Sequence, residues 1–561
     1  MSNALYYGDN LHVLREHIKD ESVDLVYLDP PFNSNANYNV LFKAPGGEQS
    51  QAQIEAFEDT WHWNDVAELA FDEVMQSGNS NASDMLRAMR GFLGANDMMA
   101  YLAMMAVRLL ELHRVLKKTG SLYLHCDPTA SHYLKILLDA VFGSKRYINE
   151  ISWKRSSAHS DGKQGMARCG RIRDVVFFYS KTEQKTWNQI YTPYDLAYLE
   201  SEYRHKTSDG RFYKETDLTA AKPGGDVEFP WYVRRLKNFK DRWQPDLSNE
   251  YLSPLSEWEY LTVKPYNGRF WAYSKANLLD FARQGKLIHR ETGMPRLMQF
   301  ADEMPGIQLQ DNWDDISNAS GGEDLGYPTQ KPVALMERIL SASSNEGDVV
   351  LDPFCGCGTT VHAAQKLNRQ WIGIDVTHLA ISLIEKRLKD AFAGVTFDVH
   401  GTPKDISGAI DLSKRDKYQF QWWAVSLVDA VPFAGKKKGA DGGIDGLIYF
   451  KPDGKKTERA IVSVKGGDNV SVPMVRDLKG VLEREKAPIG IFISLVEPTK
   501  PMIAEAASAG LYDTGYGKFP RLQILTVEDL FAGKRPHIPF NHSEGFKKAA
   551  RETVDKQDKL L

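Results

Sequence analysis

The chain has 561 residues, too many for one hydrophobic core, so two to four domains are expected. With 42% hydrophobic and 26% charged residues it reads as soluble and globular, and a net charge of −4 advertises no polyanionic partner; any such binding must come from local patches. Four cysteines, Cys126, Cys169, Cys355 and Cys357, fit a reducing compartment rather than a disulfide scaffold.

The opening "MSNALYYGDN" lacks the basic and apolar regions of a signal peptide. The most apolar run, "MMAYLAMMAV", meets Arg108 too early to span a bilayer, so a cytoplasmic protein with no membrane segment is expected. "NLHVLREH" reads as a short helix and "SVDLVYLD" as a strand that ends on Asp29, followed by Pro30, Pro31 and Phe32. Each proline lacks an N–H and has a fixed φ, so the ladder stops and the loop is stiff, and α/β proteins place their chemistry on loops at strand ends. Residues 46–95 read as a polar, partly helical insertion, and 97–118 as a helix whose cationic last turn is "KKTG". "SLYLHCD", "ASHYLKILLDAVFG" and "DVVFFYSK" continue as strand, helix and strand, an alternation that implies a mainly parallel sheet. From about Thr186 to Asn318 the text turns rich in Trp, Tyr, Arg and Lys, with short strand-like pieces. Alternation returns with "DVVLDPFCGCGTTVHAAQKL" and "QWIGIDVTHLAISLIEKRL"; "VHGTPKDISGAIDLSKRDKY" reads as a connector. Beyond it come a Trp-bearing helix and further α/β elements to about residue 530, then a charged tail. The expected divisions are 1–185, 186–322, 323–400, 401–545 and 546–561.

"VVLDPFCGCGTT" is a strand, an acid and a glycine-rich turn opening a helix at Thr359. Gly356 and Gly358 let backbone approach a ligand closely, and Asp375, at the end of the next strand, is placed for ribose hydroxyls. The pair points to a nucleoside cofactor. A nicotinamide oxidoreductase would share it, but the spacing is not G-x-G-x-x-G, and Asp352, Pro353 and Phe354 precede the glycines. The two cysteines of "CGC" lack companions at metal-ligand spacing.

"DPPF" followed by "DPFCGCGTT" resembles the DNA amino-methyltransferases that use S-adenosylmethionine. The order, catalytic motif first and cofactor loop last, resembles their β class, which includes type III modification subunits and many adenine methylases; the resemblance covers roughly residues 1–400. It implies a Rossmann-like α/β methyltransferase with an inserted target-recognition region acting on double-stranded DNA. Carried onto this sequence, it implies that Asp9 of "YGDN" contacts the cofactor's adenine. Thr329, Gln330, Lys331 and Pro332 of "TQKP" close over the cofactor, and Asp352, Pro353, Phe354, Gly356, Gly358, Thr359 and Asp375 complete its site. Asp29, Pro30, Pro31 and Phe32 become catalytic. An exocyclic amine is a poor nucleophile because its lone pair is delocalised into the ring. Acceptors at the Asp29 carboxylate and the Pro30 carbonyl would draw the nitrogen toward tetrahedral geometry, and Phe32 would stack on a base swung out of the duplex. An acid at the first position goes with adenine N6 in this family and serine with cytosine N4, so adenine is expected and cytosine is the alternative. The Arg, Lys and aromatic content of the middle region suits phosphate and base contacts.

"KKKGADGGIDGLIYF" and, about twenty residues on, "AIVSVKGGDNVSV" resemble the Mrr-like branch of the restriction-endonuclease fold. That implies a C-terminal α/β endonuclease-like domain with Mg²⁺ held by Asp445 and with Lys465 orienting the attacking water or stabilising the developing charge. Ser463 stands where that branch has Glu or Gln, and a hydroxyl is a weak ligand for a hard cation. Asp429 or Glu483 would then have to supply the missing carboxylate. The expectation is a methyltransferase with an active Mg²⁺-dependent nuclease domain for restriction–modification or defence; the alternative is a methyltransferase whose C-terminal domain is an inactive DNA-binding module with Lys436, Lys437 and Lys438 on phosphates. No G-x-x-x-x-G-K-[ST] loop is present, so ATP-driven translocation would need a separate motor subunit; a homodimer is equally open.

Overall fold

The computed structural model describes residues 2–31, 37–43, 49–58, 62–156, 169–222, 228–237, 243–247, 257–325, 327, 329–433, 443–452, 457–515, 517–539, 542–543 and 551–552. They fall into two compact units, one of 1–188 with 310–554, the other of 189–309 with the last residues.

The first unit is built on a sheet of nine strands among the described residues. In chain order these are β1 (Ala4–Tyr7), β2 (Val23–Leu28), β3 (Leu116–Cys126), β4 (Tyr147–Lys154), β5 (Arg173–Ser180), β6 (Asn312–Trp313), β7 (Val349–Asp352), β8 (Gln370–Asp375) and β9 (Asp398–His400). In space they run β6-β4-β5-β3-β2-β7-β8-β1-β9. β5 is antiparallel to β3 and β4, and the other pairs are parallel. The central strands are apolar on both faces, with every residue of β2 buried, as expected when helices cover a parallel sheet on both sides.

Those helices include α1 (Asn10–His17), α2 (Asp97–Val115), α3 (Val333–Ser343), α4 (Thr359–Lys366) and α5 (His378–Ala391). α2 ends at Val115; Lys117 and Lys118 lie in β3 rather than in a last helical turn, so the expected cationic end moves back to His113 and Arg114. The insertion expected at 46–95 carries the helices Asp65–Gln76 and Ser80–Leu93, capped by Asn64 and Asn79.

The third segment forms a second sheet, β10 (Val431–Pro432), β11 (Gly446–Phe450), β12 (Glu458–Lys465), β13 (Ile489–Ser494) and β14 (Leu522–Thr526), in that spatial order. The stretch expected to be a connector is instead part of this body. It holds α6 (Ile406–Arg415), whose Ala409 and Leu412 enter the same core as Phe420, Trp423 and Val425 of α7 (Lys417–Ser426). The apolar positions 409 and 412 share one helical face, a spacing too short to stand out in a polar stretch.

The second unit holds a four-stranded antiparallel sheet that includes Phe212–Asp217 and Pro295–Phe300, and a three-stranded one centred on Trp231–Leu236. Its core is aromatic, with Phe229, Trp231, Trp243 and Trp271 packed on Leu278. The unit stops at Leu309, short of the boundary at 322 read from composition, because Asn312–Trp313 pair with Ser152–Trp153 in the main sheet.

Candidate active site

Four neighbouring parallel strands, β2, β7, β8 and β1, end side by side, and each delivers an acid at or just past its carboxyl end: Asp29, Asp352, Asp375 and Asp9. That edge is where an open α/β sheet binds its ligands. A cavity of about 320 Å³ opens there. Of the residues singled out above, Asp9, Asp29, Pro31, Thr329, Gln330, Lys331, Asp352, Pro353, Phe354, Gly356, Thr359 and Asp375 line it. Pro30, which is buried, Pro332, the residue before α3, and Gly358 do not line it; Phe32 lies outside the described residues.

The glycine turn is shaped by two left-handed residues, Gly356 at φ 51° and Gly358 at φ 76°. A Cβ on Gly358 would sit 2.7 Å from Ile384 of α5, so the turn can pack against that helix only without one. The Gly356 N–H donates to Asp375 Oδ2 at 3.0 Å, and Thr377 donates to Oδ1 through its N–H and hydroxyl. Burial nevertheless pushes the Asp375 carboxyl up to about 6. Asp352 is more strongly affected: burial takes it to about 7, against hydrogen bonds from Thr360 and the Phe354 N–H. A floor of carboxyls poised near neutrality suits hydroxyls and amines better than phosphates.

Asp9 caps α1, accepting from the N–H groups of Leu11 and His12, and pairs with Arg108 at 2.8 Å. Arg108, 4% exposed, also donates to Asn10 Oδ1 at 2.6 Å, and Asn10 donates to the Pro353 carbonyl at 2.8 Å. Arg108 and Asn10 therefore tie the first strand end to the glycine turn. Neither was foreseen, although a guanidinium closing an apolar run was a signal.

Asp29 has two unequal oxygens. Oδ2 takes the ammonium of Lys331, while Oδ1 is buried and, among the described residues, has no hydrogen-bond partner. Beside this acid, Tyr27 Oη meets His125 Nδ1 at 2.9 Å, and His125 Nε2 meets Asp174 at 3.2 Å, a buried polar row across β2, β3 and β5. The "TQKP" segment is self-braced: Gln330 donates to the Glu323 carbonyl at 2.7 Å and accepts from the Leu325 N–H at 2.9 Å.

In the third segment, Asp445 lies just before β11, opposite Ser463 in the antiparallel pairing of β11 with β12. Lys465, two residues on, is on the same face as Ser463. Asp445 accepts from the Val464 N–H at 2.6 Å, from Ser463 Oγ at 3.3 Å and from the amide of Gln421 on α7. Gln421, which sequence reasoning passed over, thus faces the acid. Of the acids considered as completing ligands, Glu483 pairs with Arg521 at 3.1 Å and Asp429 occupies a left-handed turn at φ 53°. Among the described residues, no three His, Cys, Asp or Glu side chains stand together as a metal site. Lys436, Lys437 and Lys438 lie outside the described residues.

Residues 23–386 match the DNA methylase family model for N6 and N4 amino-methyltransferases, and residues 412–512 match a restriction endonuclease family of the Mrr type. The chain is 32% identical over 390 residues to the type II methyltransferase M.EcaI of Enterobacter cloacae, covering 69% of each. It is 25% identical over 386 residues to the StyLTI Mod subunit, a type III restriction-modification enzyme subunit of Salmonella typhimurium (strain LT2), covering 66% of this chain and 50% of that one. Against the type II methyltransferase M.KpnI of Klebsiella pneumoniae the identity is 22% over 387 residues, covering 65% and 77%. A glycine turn facing an Asp-Pro-Pro strand end, a match over most of the chain and a separate match behind it agree: the chain belongs to the N6/N4 DNA methylase family and carries an Mrr-type restriction-endonuclease domain.

Proposed function

We propose that this protein is a site-specific DNA-adenine methyltransferase that uses S-adenosylmethionine to methylate adenine N6. The observation that carries the reading is the buried, unpartnered Oδ1 of Asp29 at the cavity edge. A buried acceptor without a donor is costly, and an N–H of the incoming amine would satisfy it.

The cavity fits the cofactor in chemistry. Asp375 would accept from ribose hydroxyls and Asp9 from the adenine, both lining the cavity, and Met104, Met336, Tyr327 and Phe354 supply apolar wall. A Cβ on Gly356 would stand 3.4 Å from the Tyr327 ring and narrow the cradle. When bound, S-adenosylmethionine supplies an electrophilic methyl on a sulfonium. Asp29 Oδ1 accepts one N–H of the amine and the Pro30 carbonyl the other, which turns the nitrogen lone pair toward the methyl. Attack on that methyl would form the nitrogen–carbon bond as the carbon–sulfur bond broke, leaving its electron pair on sulfur, while Asp29 and Pro30 hold the amine. The cationic amine then loses a proton to Asp29 and on to solvent. The inserted unit, with its arginines, lysines and aromatic side chains, would read the target sequence. The four cysteines are free, consistent with a cytoplasmic setting.

One observation favours methylation without cleavage by the third segment. Asp445 is its lone carboxylate among the described groups that meet there, and its oxygens already accept three protein donors. This set does not fit Mg²⁺, which asks for several oxygen ligands. The domain then serves as a DNA-binding module within restriction–modification.

The test is incubation of full-length protein with unmethylated genomic DNA and labelled S-adenosylmethionine, with and without Mg²⁺, followed by sequencing for modified bases and breaks. N6-methyladenine at one motif is expected. N4-methylcytosine would overturn the adenine reading, and Mg²⁺-dependent breaks would overturn the reading of the third segment.

A further inference from the structure

The resemblance assigns Lys331 to the segment that closes over the cofactor; Lys331 lines the cavity, but its ammonium is engaged by Asp29. Lys331 is 8% exposed, and its ammonium donates to Asp29 Oδ2. The same nitrogen lies 3.4 Å from the Thr329 carbonyl. Its main chain is pinned from the other side: Thr359, the first residue of α4, donates its hydroxyl to the Lys331 carbonyl at 3.1 Å. Thr359 is in turn held by the buried Arg387, which also donates to the Cys357 carbonyl at 3.1 Å. One residue therefore connects the glycine turn to the acid on β2.

Asp29 sits among like charges. Asp352 and Asp174 act on the same buried Tyr27 hydroxyl as Asp29 does, and Asp29 also acts on Asp352. A carboxylate in that setting gains from a cation at contact distance. It also gains direction. A free carboxylate can rotate and offer either oxygen, whereas one bound through Oδ2 presents Oδ1 alone. Catalysis by hydrogen-bond acceptors depends on their being aimed before the reactant arrives.

We infer that Lys331 is a positioning residue for the catalytic acid: it holds Asp29 by Oδ2 and reserves Oδ1 for the target amine, with its own place set by the Thr359 contact to the glycine turn. The inference rests on the methyltransferase reading above and adds a role that the cofactor contact would not supply. It separates two quantities. A cofactor contact acts on S-adenosylmethionine affinity; a positioning contact acts on turnover with the cofactor already bound.

The experiment uses the full-length chain with Lys331→Met and Lys331→Arg. Cofactor affinity is measured by titration calorimetry, and methyl transfer to unmethylated DNA at saturating cofactor, with thermal unfolding to check the fold. Lys331→Met should lower kcat by about 100-fold, the scale of a misaimed catalytic group. The cofactor Kd should stay within about twofold, since little differential binding is lost. Lys331→Arg, which keeps a cationic donor, should recover part of the turnover. Where the Met variant does not fold, Lys331→Gln takes its place with the same expectation. Lost cofactor affinity with kcat retained at saturation would overturn the inference and return Lys331 to the cofactor site; unchanged kcat and Kd would overturn it as well. A wild-type protein that methylates cytosine N4 would sink the adenine reading but leave this comparison intact, whereas a wild type that transfers no methyl to any DNA would overturn both.

Discussion

Asp29 and Asp375 occupy equivalent places, each at the carboxyl end of a buried strand, yet they are equipped for different work. Asp375 has donors on both oxygens, so it is a fixed acceptor; Asp29 has one oxygen held and one waiting. Replacing Asp29 with Ala should abolish methyl transfer while leaving calorimetric binding of S-adenosylmethionine nearly intact; lost binding would mean that the acid serves the cofactor. For Asp375, the carboxyl is pushed up to about 6 by burial, and its charged form is the better acceptor for ribose hydroxyls. Cofactor affinity should therefore weaken as pH falls through about 6. In Asp375→Asn the affinity should be lower at pH 8 and should lose that component of its pH dependence, both read by calorimetry between pH 8 and 5. A variant with the wild-type profile would sink the ribose assignment.

At the scale of elements, the turn from β7 into α4 is the most constrained piece of the chain. Gly358 combines a positive φ with a Cβ position 2.7 Å from Ile384 of α5. Gly358→Ala meets strain and a clash together and should destabilise by about 1–3 kcal/mol, with cofactor affinity lost alongside. Denaturant unfolding measures the first and calorimetry the second; a neutral substitution would show that α5 can move away. This turn was legible in the sequence because its causes are local: a strand, an acid, two glycines and a helix start within a dozen residues. The α6 helix was not legible, because its few apolar residues acquire meaning only against Phe420 and Trp423.

Over the whole molecule, the third segment does more than follow the methyltransferase. Trp422 of α7 packs with Leu379 and Leu383 of α5 and with Tyr327 and Cys357, two residues that also line the cofactor cavity. Gln419 accepts from the His378 N–H at 3.2 Å, and the His378 ring stacks on Tyr7 of β1 at 3.6 Å. Two residues along, Gln421 reaches Asp445. Trp422→Ala should cost about 3–5 kcal/mol in unfolding free energy, as for a large buried aromatic. It should also weaken S-adenosylmethionine binding by loosening Tyr327. Unchanged affinity in a folded variant would show that the two bodies only abut.

The sequence by itself determined the chemistry of each short piece. Asp29 before two prolines and the glycine turn with Asp375 beyond it could each be read as a local unit, a strand end and a strand–turn–helix, because those conformations depend on residues within a turn or two. Tertiary structure decided which pieces meet. Leu25 pairs with Val350, so Asp29 stands beside the glycine turn although most of the methylase lies between them in the chain. Arg108, Lys331 and Gln421 gain their partners in the same way, across 99, 302 and 24 residues. Closing such loops costs an entropy that grows only slowly with length, so nothing local marks which distant partner a side chain will find; packing and charge in the assembled core make that choice.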